Sequence, residues 1–286
     1  MELLKRIGER FLYSHLFLGL CAASMVQSTR LLFQLPLALT PVTVLVFLLT
    51  VSYYNLHKYA GHLSLHSPGM FLRSCIRAPV RPLDRWLFLI AILWLPVLFY
   101  QSGWLISLLS LIMAAVSLAY SVPAVPLSGG RRRLRELVYL KLSVLSFVWA
   151  VMTVTLPLLE SGISLSGTRP VLLTVNVAGF IYLLCIPFEL RDIKKEQEKG
   201  VLTFAVLHGE WFTRWVAYGI ALLLVALQHV PDYLEPRQSW LLSFVVALSV
   251  VWIPMKHPLP QRWFYKGVVD GMMLLRFFVL YLFSKL

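Results

Sequence analysis

Residues 170–203 read PVLLTVNVAGFIYLLCIPFELRDIKKEQEKGVLT. From Pro170 to Phe188 the run contains no charged side chain. That is about the length a helix needs to cross the hydrocarbon core of a bilayer. From Glu189 to Lys199 acids and bases then follow one another closely, and Gly200 closes the block. The change at Glu189 marks a helix that leaves the apolar phase with its charged end still to be accounted for.

The rest of the chain repeats the apolar half of this pattern. Of the 286 residues 59% are hydrophobic and only 14% charged, with a mean hydropathy of +0.76. A soluble domain carries about a quarter charged residues. The composition therefore excludes an ordinary cytosolic enzyme, a disordered chain, a collagen and a disulfide-rich miniprotein. The apolar blocks lack strand-like alternation, which argues against an outer-membrane barrel. The expected fold class is an all-α integral membrane protein, one multi-pass domain over residues 1–286. Nine spans are predicted at 11–27, 36–56, 86–100, 104–121, 137–158, 170–188, 211–228, 239–255 and 263–284. The third and fourth divide one apolar run at Gln101-Ser102-Gly103, read as a tight turn.

Charge gives these spans a side. Of 26 Lys and Arg, all but six fall at the N-terminus and in the second, fourth, sixth and eighth connections or at their edges. Arg30, Arg169, Arg237 and Lys285 lie on the other side, and Lys141 and Arg276 lie within spans. By the positive-inside rule this asymmetry predicts a cytoplasmic N-terminus, a C-terminus on the opposite side, and residence in the cell (inner) membrane. It also explains the formal net charge of +13 without nucleic acid as a partner. Cys21, Cys75 and Cys185 lack metal-ligand spacing and read as small core residues. The N-terminus shows no cleavable signal pattern, so its apolar stretch reads as the first span.

Glu189, Asp192 and Glu196 stand at i, i+3 and i+7, within an arc of about 60° on one helix face. Spacing alone leaves two readings. The acids gather around a cation, for which hard Mg2+ with substrate phosphates is suited, or they sit on a solvated helix end paired by Lys194, Lys195 and Lys199.

The series Glu189, Asp192, Glu196, Gly200, Thr203 and Gly209 resembles the second aspartate-rich motif of the UbiA-type membrane prenyltransferase superfamily, with every spacing kept and two aspartates replaced by glutamate. Tyr120-Ser121-Val122-Pro123, ahead of a basic loop, resembles another landmark of that family. The resemblance implies a nine-helix UbiA-like bundle. It implies transfer of a prenyl group from an isoprenyl diphosphate to a lipophilic, aromatic acceptor among membrane lipids, with Mg2+ held by Glu189, Asp192 and Glu196 as catalytic and metal-binding residues. One departure bears on mechanism. The family's first aspartate-rich motif follows the second span, where this chain reads Asn55-Leu56-His57-Lys58, and no acid occurs between Glu9 and Asp84. One metal site is then expected to be lost, with Lys58 meeting phosphate directly. Asn55, His57 and Tyr120 are expected to shape the substrate site.

His57, His62 and His66 lie within ten residues, and the last two have an i,i+4 metal spacing, but no carboxylate or cysteine is nearby in sequence. A polar loop at the membrane surface is the plainer reading. Arg131, Arg132 and Arg133 read either as the topological signal with attraction to anionic headgroups or as diphosphate contacts. Lys141 lies inside the fifth span. It either snorkels to the interface or is a functional charge, and facing Glu189 or Asp192 across the bundle would serve both readings. Asp270 and Arg276 share the last span at a spacing unsuited to each other, so each should pair with another helix or face a polar cavity. Trp149, Asn176 and Tyr182 are candidates for the bundle interior. Two further functions stay open: a non-catalytic relative binding a prenyl lipid or a membrane partner, and a transporter. No pair of Gly- or Pro-broken helices in matching halves supports the transporter.

Overall fold

The computed structural model describes residues 8, 11–12, 14–60, 82–121, 125–127, 130–132, 134–253 and 263–284, with side chains left out at 57–60, 82–84, 125–127, 130–132 and 135. Among the described residues nine helices follow one another: α1 Leu16–Leu32, α2 Pro41–Ala60, α3 Pro82–Ser102, α4 Trp104–Ser121, α5 Leu140–Glu160, α6 Thr168–Glu198, α7 Phe204–Gln228, α8 Pro236–Val251 and α9 Phe264–Ser284. The all-α class and the nine-helix count of the sequence reading hold. Six of them, α3 to α7 and α9, are long and apolar enough to cross a membrane, and α1, α2 and α8 are shorter apolar helices. The protein is a multi-pass membrane protein. Its outer faces fit that solvent: Leu93, Trp94, Tyr100 and Trp104 stand exposed on α3 and α4.

Each helix packs on the next in sequence, and α9 returns to pack on α1, so the nine close into a ring. Cross-contacts narrow the ring, the most extensive of them between α1 and α5. α5 passes through a π-helical turn at Val151–Thr155, and the Thr153 carbonyl there accepts a hydrogen bond from Thr29 Oγ1 of α1 at 2.8 Å. At the same end Glu160, the last residue of α5, accepts from the Val42 amide in the first turn of α2 at 3.0 Å and pairs with Arg30 at 3.6 Å. An acid placed on orphan amides at a helix start is favourable.

Two boundaries differ from the sequence reading. α1 runs from 16 to 32, not 11 to 27, because Ser14 and His15 form a turn and Arg30 stays helical, its charge met by Glu160 and by the Pro36 carbonyl at 2.9 Å. α6 continues ten residues past Phe188 to Glu198, so the acids ride on the helix itself. Its stop is local chemistry. Gly200 takes φ +66, the Val201 amide bonds the Glu196 carbonyl at 3.0 Å, and the Gly200 amide bonds that of Gln197 at 3.0 Å. That pair of bonds is a Schellman closure, which wants glycine at the left-handed position. Three residues on, Thr203 caps α7, its Oγ1 accepting from the Val206 amide. A small hairpin, β1 Val125–Leu127 with β2 Gly130–Arg132, lies in the connection between α4 and α5.

Gly209 interrupts α7 with φ 83 and ψ 164. Only glycine occupies that backbone region at low cost. A Cβ there would meet nothing within 4 Å, so crowding plays no part. Gly209→Ala is expected to destabilise the protein by about 1–3 kcal/mol, read as a lowered midpoint of thermal unfolding in detergent. An unchanged midpoint would show that the turn relaxes freely.

Candidate functional site

Inside the ring, at the end carrying the α2–α3, α4–α5 and α6–α7 connections, lies a cavity of about 600 Å³. That is within the range of small-molecule sites, about 300–1,000 Å³. Its upper wall is ionic, with Glu136, Glu189, Asp192, Glu196 and Asp270 set against Lys141, Arg191, Lys195, Lys199 and Lys266. Among the described lining residues acids and bases are equal in number.

The central arrangement joins α5 to α6. Lys141, in the first turn of α5, points its Nζ at Glu189 Oε1 at 2.5 Å and at Glu196 Oε1 at 2.6 Å. Glu189 and Glu196 are seven apart, two turns on one face, so one ammonium on the neighbouring helix reaches both. Glu189 is only 2% exposed. Each glutamate keeps its second oxygen, Oε2, buried and without a hydrogen-bond partner among the described residues. Lys141 therefore faces Glu189, the pairing that serves both readings of its position in the fifth span.

Asp192 is drawn away from this pair. Arg191 grips both of its oxygens, Nε to Oδ1 at 2.8 Å and Nη2 to Oδ2 at 2.9 Å. The same guanidinium lies 4.6 Å from the Tyr265 ring centroid on α9 and 5.2 Å from that of Phe188. A cation over an aromatic face is held there electrostatically, so Arg191 ties the end of α6 to α9 and fixes Asp192 beside it. The three acids share a face as the spacing required, but the structure gives them different partners.

Metal binding can be judged from these contacts. No group of three His, Cys, Asp or Glu side chains among the described residues could cage a metal ion. Mg2+ does not require a cage: it is commonly held by one or two carboxylates together with substrate phosphates. The free Oε2 atoms of Glu189 and Glu196 are hard oxygen donors of that kind, and so fit such a shared site.

Of the remaining candidates, Tyr120 lines the cavity. Asn55 is fully buried and does not line it; its Nδ2 donates to the Ser14 carbonyl at 3.3 Å, beside His15, which does. The His57 and Lys58 side chains, those of Arg131 and Arg132, and all of Arg133, His62 and His66 lie outside the described residues. Trp149 lines the cavity and Asn176 is buried in the bundle. On α9, Asp270 faces the cavity, while Arg276 is buried and donates to Asn176 Oδ1 on α6 at 3.2 Å. Glu136, Lys195, Lys199 and Lys266 belong to the site and were not among the sequence candidates. Lys266 had a signal: it stands four residues before Asp270, at a spacing that can place both on one side of a helix.

Below the ionic wall the cavity turns apolar. Tyr53, Tyr54, Leu145 and Trp149 line both this cavity and a second one of about 220 Å³ between α2, α3, α4 and α5. The second is walled mainly by residues such as Val46, Leu95, Met113 and Met152. A charged chamber thus adjoins a greasy one across an aromatic partition.

No protein-family model and no curated protein matches this sequence. A solved structure does: that of a UbiA homolog from Archaeoglobus fulgidus bound to Cd2+, 11% identical, with a TM-score of 0.62, covering 94% of this chain and 99% of that one. The chain has the UbiA fold. The match extends over nearly the full length of both chains.

Proposed function

We propose that this protein transfers a prenyl group from an isoprenyl diphosphate to a lipophilic, aromatic acceptor within the membrane. The observation that carries this reading is the paired chamber: a charged end around Lys141, Glu189 and Glu196, adjoining an apolar end behind Tyr53, Tyr54, Leu145 and Trp149. An isoprenyl diphosphate is divided in the same way.

In this reading Glu189 and Glu196 would hold Mg2+ through their second oxygens, with Asp192 beside them, and the ion would supply positive charge to offset that of the leaving diphosphate. Lys141, Lys195, Lys199 and Lys266 would meet the remaining phosphate oxygens, and the family resemblance adds Lys58 and Arg131–Arg133 as candidate diphosphate contacts. The bond from the allylic carbon to the diphosphate oxygen breaks, and its electron pair leaves with the diphosphate. The acceptor supplies the pair for the new bond and loses a proton, for which Asp270 of α9, which lines the cavity, is a candidate base. The faces of Tyr53, Tyr54, Tyr120 and Trp149 favour a developing cation, and the apolar chamber keeps water from it. The UbiA homolog of like fold binds a divalent cation, Cd2+. Loop charge supports placing the ionic end at the cytoplasmic face of the cell membrane.

The test uses the full chain, purified with lipid and incubated with isoprenyl diphosphates of several lengths and a mixed pool of lipophilic acceptors. Mg2+-dependent diphosphate release with a prenylated product is expected. Saturable donor binding without release would replace this reading with a prenyl-lipid binding protein, which the lack of any acid between Glu9 and Asp84 favours.

A further inference from the structure

Lys141 holds a position that a proposed metal site would otherwise give to the metal. Its ammonium lies within 2.6 Å of one oxygen of each of two carboxylates, and its own side chain is 15% exposed. A lysine that only snorkels would carry its charge out to the interface. This one turns inward to bridge α6 at two points. Without it, Glu189 and Glu196 would be neighbouring like charges in a low-dielectric wall, and their mutual repulsion would demand a cation from elsewhere. With it, a divalent ion arriving alone would meet a fixed positive charge already bonded to one oxygen of each carboxylate.

Phosphate changes that balance. A lysine carries three rotatable donors on a flexible stem of four carbons. A diphosphate entering the charged chamber offers Nζ oxygens of higher charge than either carboxylate. We propose, resting on the function reading above, that Lys141 is a tethered cation that changes partners. It clamps Glu189 and Glu196 before substrate arrives, and it passes to the diphosphate as the two carboxylates pass to the divalent ion. Diphosphate and metal then bind with positive coupling through Lys141, and by linkage each raises the affinity of the other by the same factor. The clamp keeps the carboxylates from holding a divalent ion when no donor is present. It also supplies within the chain one of the positive charges that an acid-poor second connection does not recruit as metal.

The experiment reads binding, not turnover. Mn2+ binding to the purified full chain is followed by electron paramagnetic resonance, alone and with inorganic diphosphate at fixed free Mn2+, for the wild type, Lys141→Met and Lys141→Met/Glu189→Gln. In the absence of diphosphate, Lys141→Met is expected to bind Mn2+ about tenfold or more tighter than the wild type, a shift of about 1.4 kcal/mol, and the double variant to lose that gain. Diphosphate is expected to tighten Mn2+ binding strongly in the wild type and only weakly in Lys141→Met. Lys141→Gln, which keeps a hydrogen-bond donor without the charge, should move in the same direction and serves if the methionine variant does not fold, as judged by thermal unfolding. Equal Mn2+ affinity in wild type and both Lys141 variants, with diphosphate coupling intact, overturns the exchange and leaves the function reading standing. Failure of the folded wild type to bind either Mn2+ or diphosphate overturns both.

Discussion

Glu189→Gln is expected to lower the rate of diphosphate release by about a hundredfold or more, the scale on which removing one group that stabilises developing charge acts. Asp192→Asn is expected to cost no more than about tenfold, or about 1.4 kcal/mol of barrier. Sequence spacing treats the two acids as equals, and their surroundings do not. Glu189 is buried, faces Lys141 and keeps a free oxygen toward the interior. Asp192 is about a third exposed, and both of its oxygens are engaged by Arg191. Neutralising Glu189 removes a donor to the metal and also releases half of the Lys141 clamp. Neutralising Asp192 mainly loosens Arg191 on Tyr265. Glu198→Gln, on the exposed side of the same helix end, should stay within about twofold of wild type, as surface changes do. Initial rates at saturating donor measure all three. Equal losses at 189 and 192 would mean that Arg191 gives up Asp192 on substrate binding and that the three acids act as one set.

The ranking shows where sequence stopped. The apolar runs and the loop charges sufficed for nine helices, because a bilayer demands about twenty apolar residues and punishes charge at its core. The turn at Gly103 was legible because glycine and two polar residues interrupt an otherwise continuous run. The ends of α1 and α6 were not. Composition ends a span at the first charge, but Arg30 remains helical through its ion pair with Glu160, a residue 130 positions away in sequence. α6 passes straight through its charged block because only Gly200 and the Schellman bonds can stop it. The π-helical turns at Val151–Thr155 in α5 and at Phe264–Val269 in α9 left no mark that periodicity could detect.

The site divides in the same way. Shared face and membrane depth could be read from spacing, which is why Lys141 and the acids of α6 were found together. Which acid Lys141 takes depends on the rotation of α5 against α6, a tertiary quantity. Arg191 follows Glu189 by two positions and, on a helical wheel, points well away from it; its capture of Asp192 depends on Tyr265 from the far end of the chain. The adjoining apolar chamber is equally a product of packing, since the small side chains that leave it open on α4, Ser110, Ala114 and Ser117, look in sequence like any others in a span.

That chamber carries the second large effect. Ala114→Phe, on the α4 wall, is expected to cut kcat/KM for long-chain donors by about a hundredfold or more while leaving a five-carbon donor within about threefold. Burying a CH2 contributes about 0.8 kcal/mol, so excluding one five-carbon unit forfeits about 4 kcal/mol, nearly three orders of magnitude if the unit finds no other apolar contact. The chamber measures about 220 Å³, so a phenyl ring takes a large share of it. Ala114 lines the apolar chamber and not the charged cavity, so inorganic diphosphate should bind the variant as it binds the wild type, and that comparison separates a filled chamber from a distorted charged site. A ring that turned outward to lipid would leave every donor unaffected and show that α4 rotates to accommodate it. An equal loss for short and long donors would place the chain outside this chamber, along the lipid-facing sides of the helices, and the aromatic partition of Tyr53, Tyr54, Leu145 and Trp149 would then close the charged cavity instead of opening it to the tail.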